Sequence, residues 1–135
     1  MIALFDTNIY IEIMVDLISE AQVSAWKSGH LIRLSPIVYH ELLRGAREPE
    51  IIEEIGSKTV KTAVPTFKMW EKSALILREF VGRFGYNEEV FKLQNDILLA
   101  LTAKSCGALL ISKDRHFLEI AKIISFHFFH YRTNG

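Results

Sequence analysis

Short, largely apolar runs separated by helical stretches constrain this chain most. Ile2–Phe5 is one such run, and residues 31–34, 108–111 and 126–129 are three more, each the length of a short strand. Strands alternating with helices build a parallel sheet covered on both faces, so the expected class is α/β. In such sheets, binding sites collect at the carboxyl ends of the strands.

Capping and breaking residues place the helices. Asp6, Thr7 and Asn8 are capping types ahead of a helix over 9–14. A second helix spans 16–27 and closes at Ser28-Gly29. Ser35 followed by Pro36 is an N-cap with proline at the first helical position, predicting a helix over 36–47. Glu48-Pro49 opens another that ends at Gly56, and the β-branched residues of 59–64 read as a short strand. Pro65 opens a long amphipathic helix to Phe84, with Gly85 as its stop. Asn95-Asp96 leads into a helix over 97–104, apolar nearly all round and hence buried. Gly107 ends it. Ser112-Lys113-Asp114 turns into a helix over 116–123, and 126–129 reads as an edge strand.

Composition narrows the field. A chain of 135 residues, 50% hydrophobic and 24% charged, suits one domain, 1–135, with a full core. The single cysteine, Cys106, leaves no internal disulfide framework and favours a reducing compartment. The apolar start has no basic residue before it and is broken by Asp6 and Asn8. It reads as neither a signal peptide nor a membrane span, and the expected location is the cytoplasm. Sixteen Lys+Arg balance sixteen Asp+Glu, which excludes a globally basic nucleic-acid coat but not a local basic rim. A net charge near zero also favours self-association or a partner.

Four acids stand out by position. Asp6 follows the first strand, Asp114 follows a late strand and Asp96 opens a buried helix. Glu41 lies about one and a half turns into the helix after the second strand. If they met without cations they would repel, and their pKa values would rise until a divalent cation neutralised them. Oxygen donors of this kind suit Mg²⁺ or Mn²⁺. Taken singly, each has a plainer role: Asp6, Asp96 and Asp114 as helix caps or dipole partners, Glu41 as an i,i+3 partner of Arg44. Capping leaves Glu41 unexplained, because it stands mid-helix beside His40.

Four segments in order carry a family likeness: Leu4-Phe5-Asp6-Thr7-Asn8; Ser35-Pro36-Ile37-Val38-Tyr39-His40-Glu41-Leu42; Asn95-Asp96-Ile97-Leu98-Leu99-Ala100; and Leu110-Ile111-Ser112-Lys113-Asp114-Arg115-His116-Phe117. Along essentially its whole length the chain resembles the PIN-domain ribonucleases, in particular the VapC-type toxins of toxin–antitoxin pairs. The resemblance implies a three-layer α/β/α sandwich with a parallel sheet of four or five strands, the acids gathered at one edge. It further implies Mg²⁺- or Mn²⁺-dependent cleavage of RNA with one or two ions, dimerisation, and silencing by a cognate antitoxin. Asp6, Glu41, Asp96 and Asp114 match the family's acidic quartet, and Thr7 and Asn8 match the positions beside the first Asp. On this likeness Asp6 and Asp96 are the principal metal ligands, while Glu41 and Asp114 complete the coordination or orient the attacking water. Ser112 stands where the family usually has Thr and keeps a hydroxyl. His116 stands where many members carry a further acid, which leaves one fewer carboxylate for a second ion.

Lys113, Arg115 and Arg44 are the main candidates for holding RNA phosphates, with Arg47 and Lys104 behind them. Shape rather than base edges would set selectivity, and transfer, ribosomal and messenger RNA are all compatible substrates. Tyr10, Trp26, Trp70 and Phe84 read as core or interface, Cys106 as a small core residue and His127 and His130 as solvent-facing. Tyr10, Ile11, Ile13, Met14, Leu17 and Ile18 give the early helices more apolar surface than one face hides. The resemblance implies an antitoxin tail along this region, with a basic residue near the acids. Competing classes are a catalytically silent PIN-like module that binds RNA or protein, a phosphatase, and a phospho-acceptor receiver. The intact quartet counts against the first. A phosphatase wants a second Asp where Asn8 stands, and a receiver wants paired acids where only Asp6 is present.

Overall fold

Strands β1 (Ile2–Phe5), β2 (Leu31–Arg33), β3 (Leu109–Ser112) and β4 (His127–His130) pair in parallel in the order β2-β1-β3-β4. The computed structural model describes residues 1–84 and 88–132, the side chains of 84 and 88–92 apart. Within it, α1 (Thr7–Met14) and α2 (Glu20–Gly29) link β1 to β2. Helices α3 (Pro36–Gly45), α4 (Pro49–Lys58), α5 (Phe67–Phe84) and α6 (Glu88–Cys106) lead to β3, and α7 (His116–Ile120) precedes β4. Successive strand residues point to opposite faces. Ala3, Leu4 and Phe5 are all buried, as are Leu110, Ile111 and Ser112, so both faces of the central strands are covered. This is the expected α/β/α sandwich, with four described strands.

Packing explains the layers. Phe5 sets its ring against Tyr10 of α1 and Trp26 of α2, with centroids 5.5 and 5.4 Å apart. Ile97, Leu99 and Ala100 of α6 join the same core as the strands, and α5 packs along α6. In register, Phe5 lies opposite Ile111, so the carboxyl ends of β1 and β3 are level. The Asp6 N–H then donates to the Ile111 carbonyl at 3.0 Å, which brings the residues after both strands together. No described helix is long and apolar enough to cross a membrane.

Several boundaries differ from expectation, each for a local reason. Helix α2 starts at Glu20, not 16, because Asp16 takes a left-handed φ of 60° and Ser19 supplies the cap, accepting from the Gln22 N–H at 3.1 Å. Residues 59–64 form no strand beyond one bridge of Leu34 with Lys61. Pro65, just beyond, has no N–H to extend a ladder. Thr66 caps α5 by accepting from the Met69 N–H at 3.2 Å, so that helix begins at Phe67 rather than Pro65. The expected stop at Gly85 lies outside the described residues. Asn95 and Asp96 do not open a helix; they lie in the interior of α6, which begins at Glu88. Helix α7 stops at Ile120, short of 123. Cys106 is exposed rather than in the core, because it ends α6 just before Gly107 turns the chain at φ 62°.

Helix α3, which carries Glu41, is seated by α4. Gly56 of α4 approaches the Tyr39 ring so closely that an added Cβ would lie 2.7 Å from Cε2. Gly56→Ala should therefore cost about 1–2 kcal/mol in urea unfolding. In a Tyr39→Ala background the same change should be neutral or slightly stabilising, through helix propensity. Equal cost in both backgrounds would show that the ring is not the obstacle.

Candidate active site

The geometry starts at Asp6. It caps α1, with Oδ1 accepting from the Thr7 N–H at 2.8 Å. Its Oδ2 accepts from the Ser112 hydroxyl at 2.7 Å and from the Asn8 amide at 3.4 Å. The Ser112 oxygen in turn accepts from the Asp114 N–H at 2.9 Å and the Asn8 amide at 3.3 Å. Asn8 Oδ1 accepts from the Lys113 N–H at 3.2 Å. One hydroxyl and one amide thus tie the end of β1 to the loop after β3. The Ser112 hydroxyl is fully committed to this network.

The other acids come from different layers and converge on the same end of the sheet. Glu41 on α3, Asp96 on α6 and Asp114 after β3 line one cavity of about 580 Å³ together with Arg44, Asn95 and His116. Burial pushes the Asp6 carboxyl upward; the hydrogen bonds from Ser112 and Thr7 offset part of this, and the Asp114 charge adds to it. Glu41 is raised by burial and then by Asp6, against the pull of Arg44, Thr7 and His40. Its neighbour Thr7 has a buried hydroxyl that closes no hydrogen bond of ordinary geometry. Asp96 is pushed up to about 8, first by burial and then by the charges of Asp6, Asp114 and Glu41. Asp96 therefore feels the charges of all three other acids, and Asp6 that of Asp114. Asp114 also does what its capping role required, accepting from the His116 N–H at 2.9 Å.

A cluster of this kind fits a hard divalent cation. Asp6, Glu41 and Asp96 are held at raised pKa by burial first and by neighbouring negative charge second, and oxygen donors dominate the set. Asp96, Asp114 and His116 each offer a donor atom within 4.8 Å of the others.

Among the basic candidates, Arg44 lines the cavity and Arg115 is exposed beside Asp114. The Lys113 ammonium is instead held at 2.8 Å by Glu12, a buried acid that the sequence reading passed over. Glu12 lies one turn beyond Asn8 on the same face of α1, the only local sign of its position. Tyr10 and Trp26 are buried as expected, Trp70 is largely exposed, and the Phe84 side chain lies outside the described residues. His127 is exposed, and half-buried His130 pairs through Nε2 with the Lys113 carbonyl at 3.0 Å.

The sequence matches the PIN-domain family model over residues 3–123. The chain belongs to the PIN-domain family. A search of curated proteins finds no significant match. Among solved structures, the fold of this PIN domain is similar to VapBC2 from Rickettsia felis bound to a promoter DNA fragment. That match has a TM-score of 0.67 and 19% identity over 98% of this chain and 100% of that one. VapBC-1 from nontypeable Haemophilus influenzae is similar at a TM-score of 0.63, with 24% identity over 95% and 96% of the two chains. FitAcB from Neisseria gonorrhoeae gives 0.55, with 16% identity over 95% and 96%.

The raised Asp96 carboxyl of this PIN domain makes its metal-free stability depend on pH. The folded protein retains that proton up to about pH 8, whereas the unfolded chain loses it near 3.8. The associated stability is full below the unfolded value and is lost as pH rises towards 8. In EDTA, Asp96→Asn should be more stable than the parent by about 1–3 kcal/mol at pH 8–9, a gap that closes towards pH 4. Thermal unfolding across that range checks this, and a pH-independent difference would contradict it.

Proposed function

We propose that this PIN-domain chain is a VapC-type toxin, an endoribonuclease that depends on Mg²⁺ or Mn²⁺ and inhibits translation. It acts in the cytoplasm as a homodimer and is silenced by a cognate antitoxin. The meeting of Glu41, Asp96 and Asp114 in one cleft, with Asp6 near enough for its charge to raise the Glu41 and Asp96 carboxyls, carries this reading. Asp6 and Asp96 hold one or two ions, directly or through water, and Glu41 and Asp114 complete the coordination or orient the attacking water. A divalent ion bound there shields the phosphate charge and acidifies a coordinated water. Ser112, Asn8 and the Thr7 N–H keep Asp6 in a single orientation. Arg44 and Arg115 supply cationic contacts for RNA phosphates, and Lys113 fixes the loop that carries Asp114 through its pair with Glu12.

A groove of about 490 Å³ between α1, α3 and α4 supports the antitoxin partner. Ile11, Met14, Val15 and Ile51 line it and are exposed, and it reaches Glu41. An apolar tail seated there would bring a basic side chain to the acids. The similar folds of the VapBC and FitAcB structures support the same pairing.

Purified protein incubated with mixed RNA should produce fragments with Mg²⁺ or Mn²⁺ and none with EDTA. Asp6→Asn should lower the rate by about a hundredfold or more, since loss of even an outer partner of a metal ligand costs 10–100-fold. Cleavage that persists in EDTA, or an undiminished Asp6→Asn, would overturn the metal mechanism. RNA held intact by the metal-loaded protein would identify a catalytically silent binding module instead.

A further inference from the structure

The donors at the acidic cleft are not all oxygens. His116, at the start of α7, places Nδ1 3.2 Å from Asp114 Oδ1 and 3.5 Å from Asp96 Oδ2. Its own N–H donates to Asp114 Oδ1 at 2.9 Å, which fixes the first turn of α7 against that carboxylate. The side chain is 49% exposed and lines the cavity shared by Glu41, Asp96 and Asp114, so the ring faces the acids and is open to solvent. Imidazole nitrogen suits the first-row transition ions, whereas Mg²⁺ prefers oxygen donors and retains its waters.

We propose that His116 is a metal ligand through Nδ1, acting with Asp96 and Asp114, and that it tilts the centre towards Mn²⁺-class ions over Mg²⁺. The inference rests on the metal reading given above. In the ligating tautomer the ring proton sits on Nε2, leaving the Nδ1 lone pair for the ion. The rival role for the same contacts is a cationic ring clamped between two carboxylates. A clamp of that kind competes with every metal alike, so removing it would tighten Mg²⁺ and Mn²⁺ together.

The test uses the full chain as parent, His116→Asp and His116→Gln, titrated calorimetrically with Mn²⁺ and with Mg²⁺. Electron spin-echo spectroscopy of the Mn²⁺-loaded proteins reads the donor atoms directly. Nitrogen modulation should be present in the parent and lost in both variants. The preference for Mn²⁺ over Mg²⁺ should fall about tenfold in His116→Asp, which returns an oxygen donor to the position. No nitrogen modulation in the parent, an unchanged preference, or equal tightening of both ions in His116→Gln would overturn the proposal while leaving the metal reading intact. Failure of the parent to bind either ion would overturn both.

Discussion

Carboxylates repel one another, and removing them from water makes the repulsion stronger. Asp96 carries both burdens, since its side chain is largely withdrawn from water and faces the charges of Asp6, Asp114 and Glu41. Nothing in the packing of an apolar helix calls for such a residue, and a neutral side chain would sit there more easily. The arrangement concentrates negative potential at the carboxyl ends of the central strands, which a divalent cation would neutralise. Much of the local structure serves to hold the acids in place against that repulsion. The Thr7 N–H, the Ser112 hydroxyl and the Asn8 amide all donate to Asp6, and the His116 N–H donates to Asp114.

The sandwich makes this convergence possible. Parallel pairing brings the carboxyl ends of β1 and β3 level, so that Asp6 and the Ser112–Asp114 loop meet although more than a hundred residues separate them. Helices α3 and α6 then bring Glu41 and Asp96 in from outside the sheet. The Glu12–Lys113 pair, with one carboxylate oxygen left without a hydrogen-bond partner, fastens the same loop to α1. Position along the sheet, rather than proximity in sequence, assembles the site.

Much of the fold was legible because its cues are local. The apolar strands, the Ser35-Pro36 helix start and the Gly107 stop each follow from a few adjacent residues. The four acids were legible too, by their positions at strand ends and helix starts and, for Glu41, by a mid-helix place that capping left unexplained. Asp6 and Asp114 both accept capping hydrogen bonds and also stand close enough for their charges to interact, so capping and clustering are not exclusive. Asp96 misled in the opposite direction: beside Asn95 it looks like a helix start, yet it stands in the interior of α6 with its side chain in the cleft. Cap-forming residue types carry the same signature wherever a helix needs polar groups for another purpose. The Glu12–Lys113 pair, by contrast, depends on a contact across the fold that no local pattern encodes.

The central claim is that acids from β1, α3, α6 and the β3–α7 loop share one divalent ion site. Crystals grown with Mn²⁺, measured at a wavelength where manganese scatters anomalously, test it most directly. The account predicts one or two strong anomalous peaks bounded by the carboxylates of Asp6, Asp96 and Asp114. Peaks only at other positions, or none at saturating Mn²⁺, would contradict it.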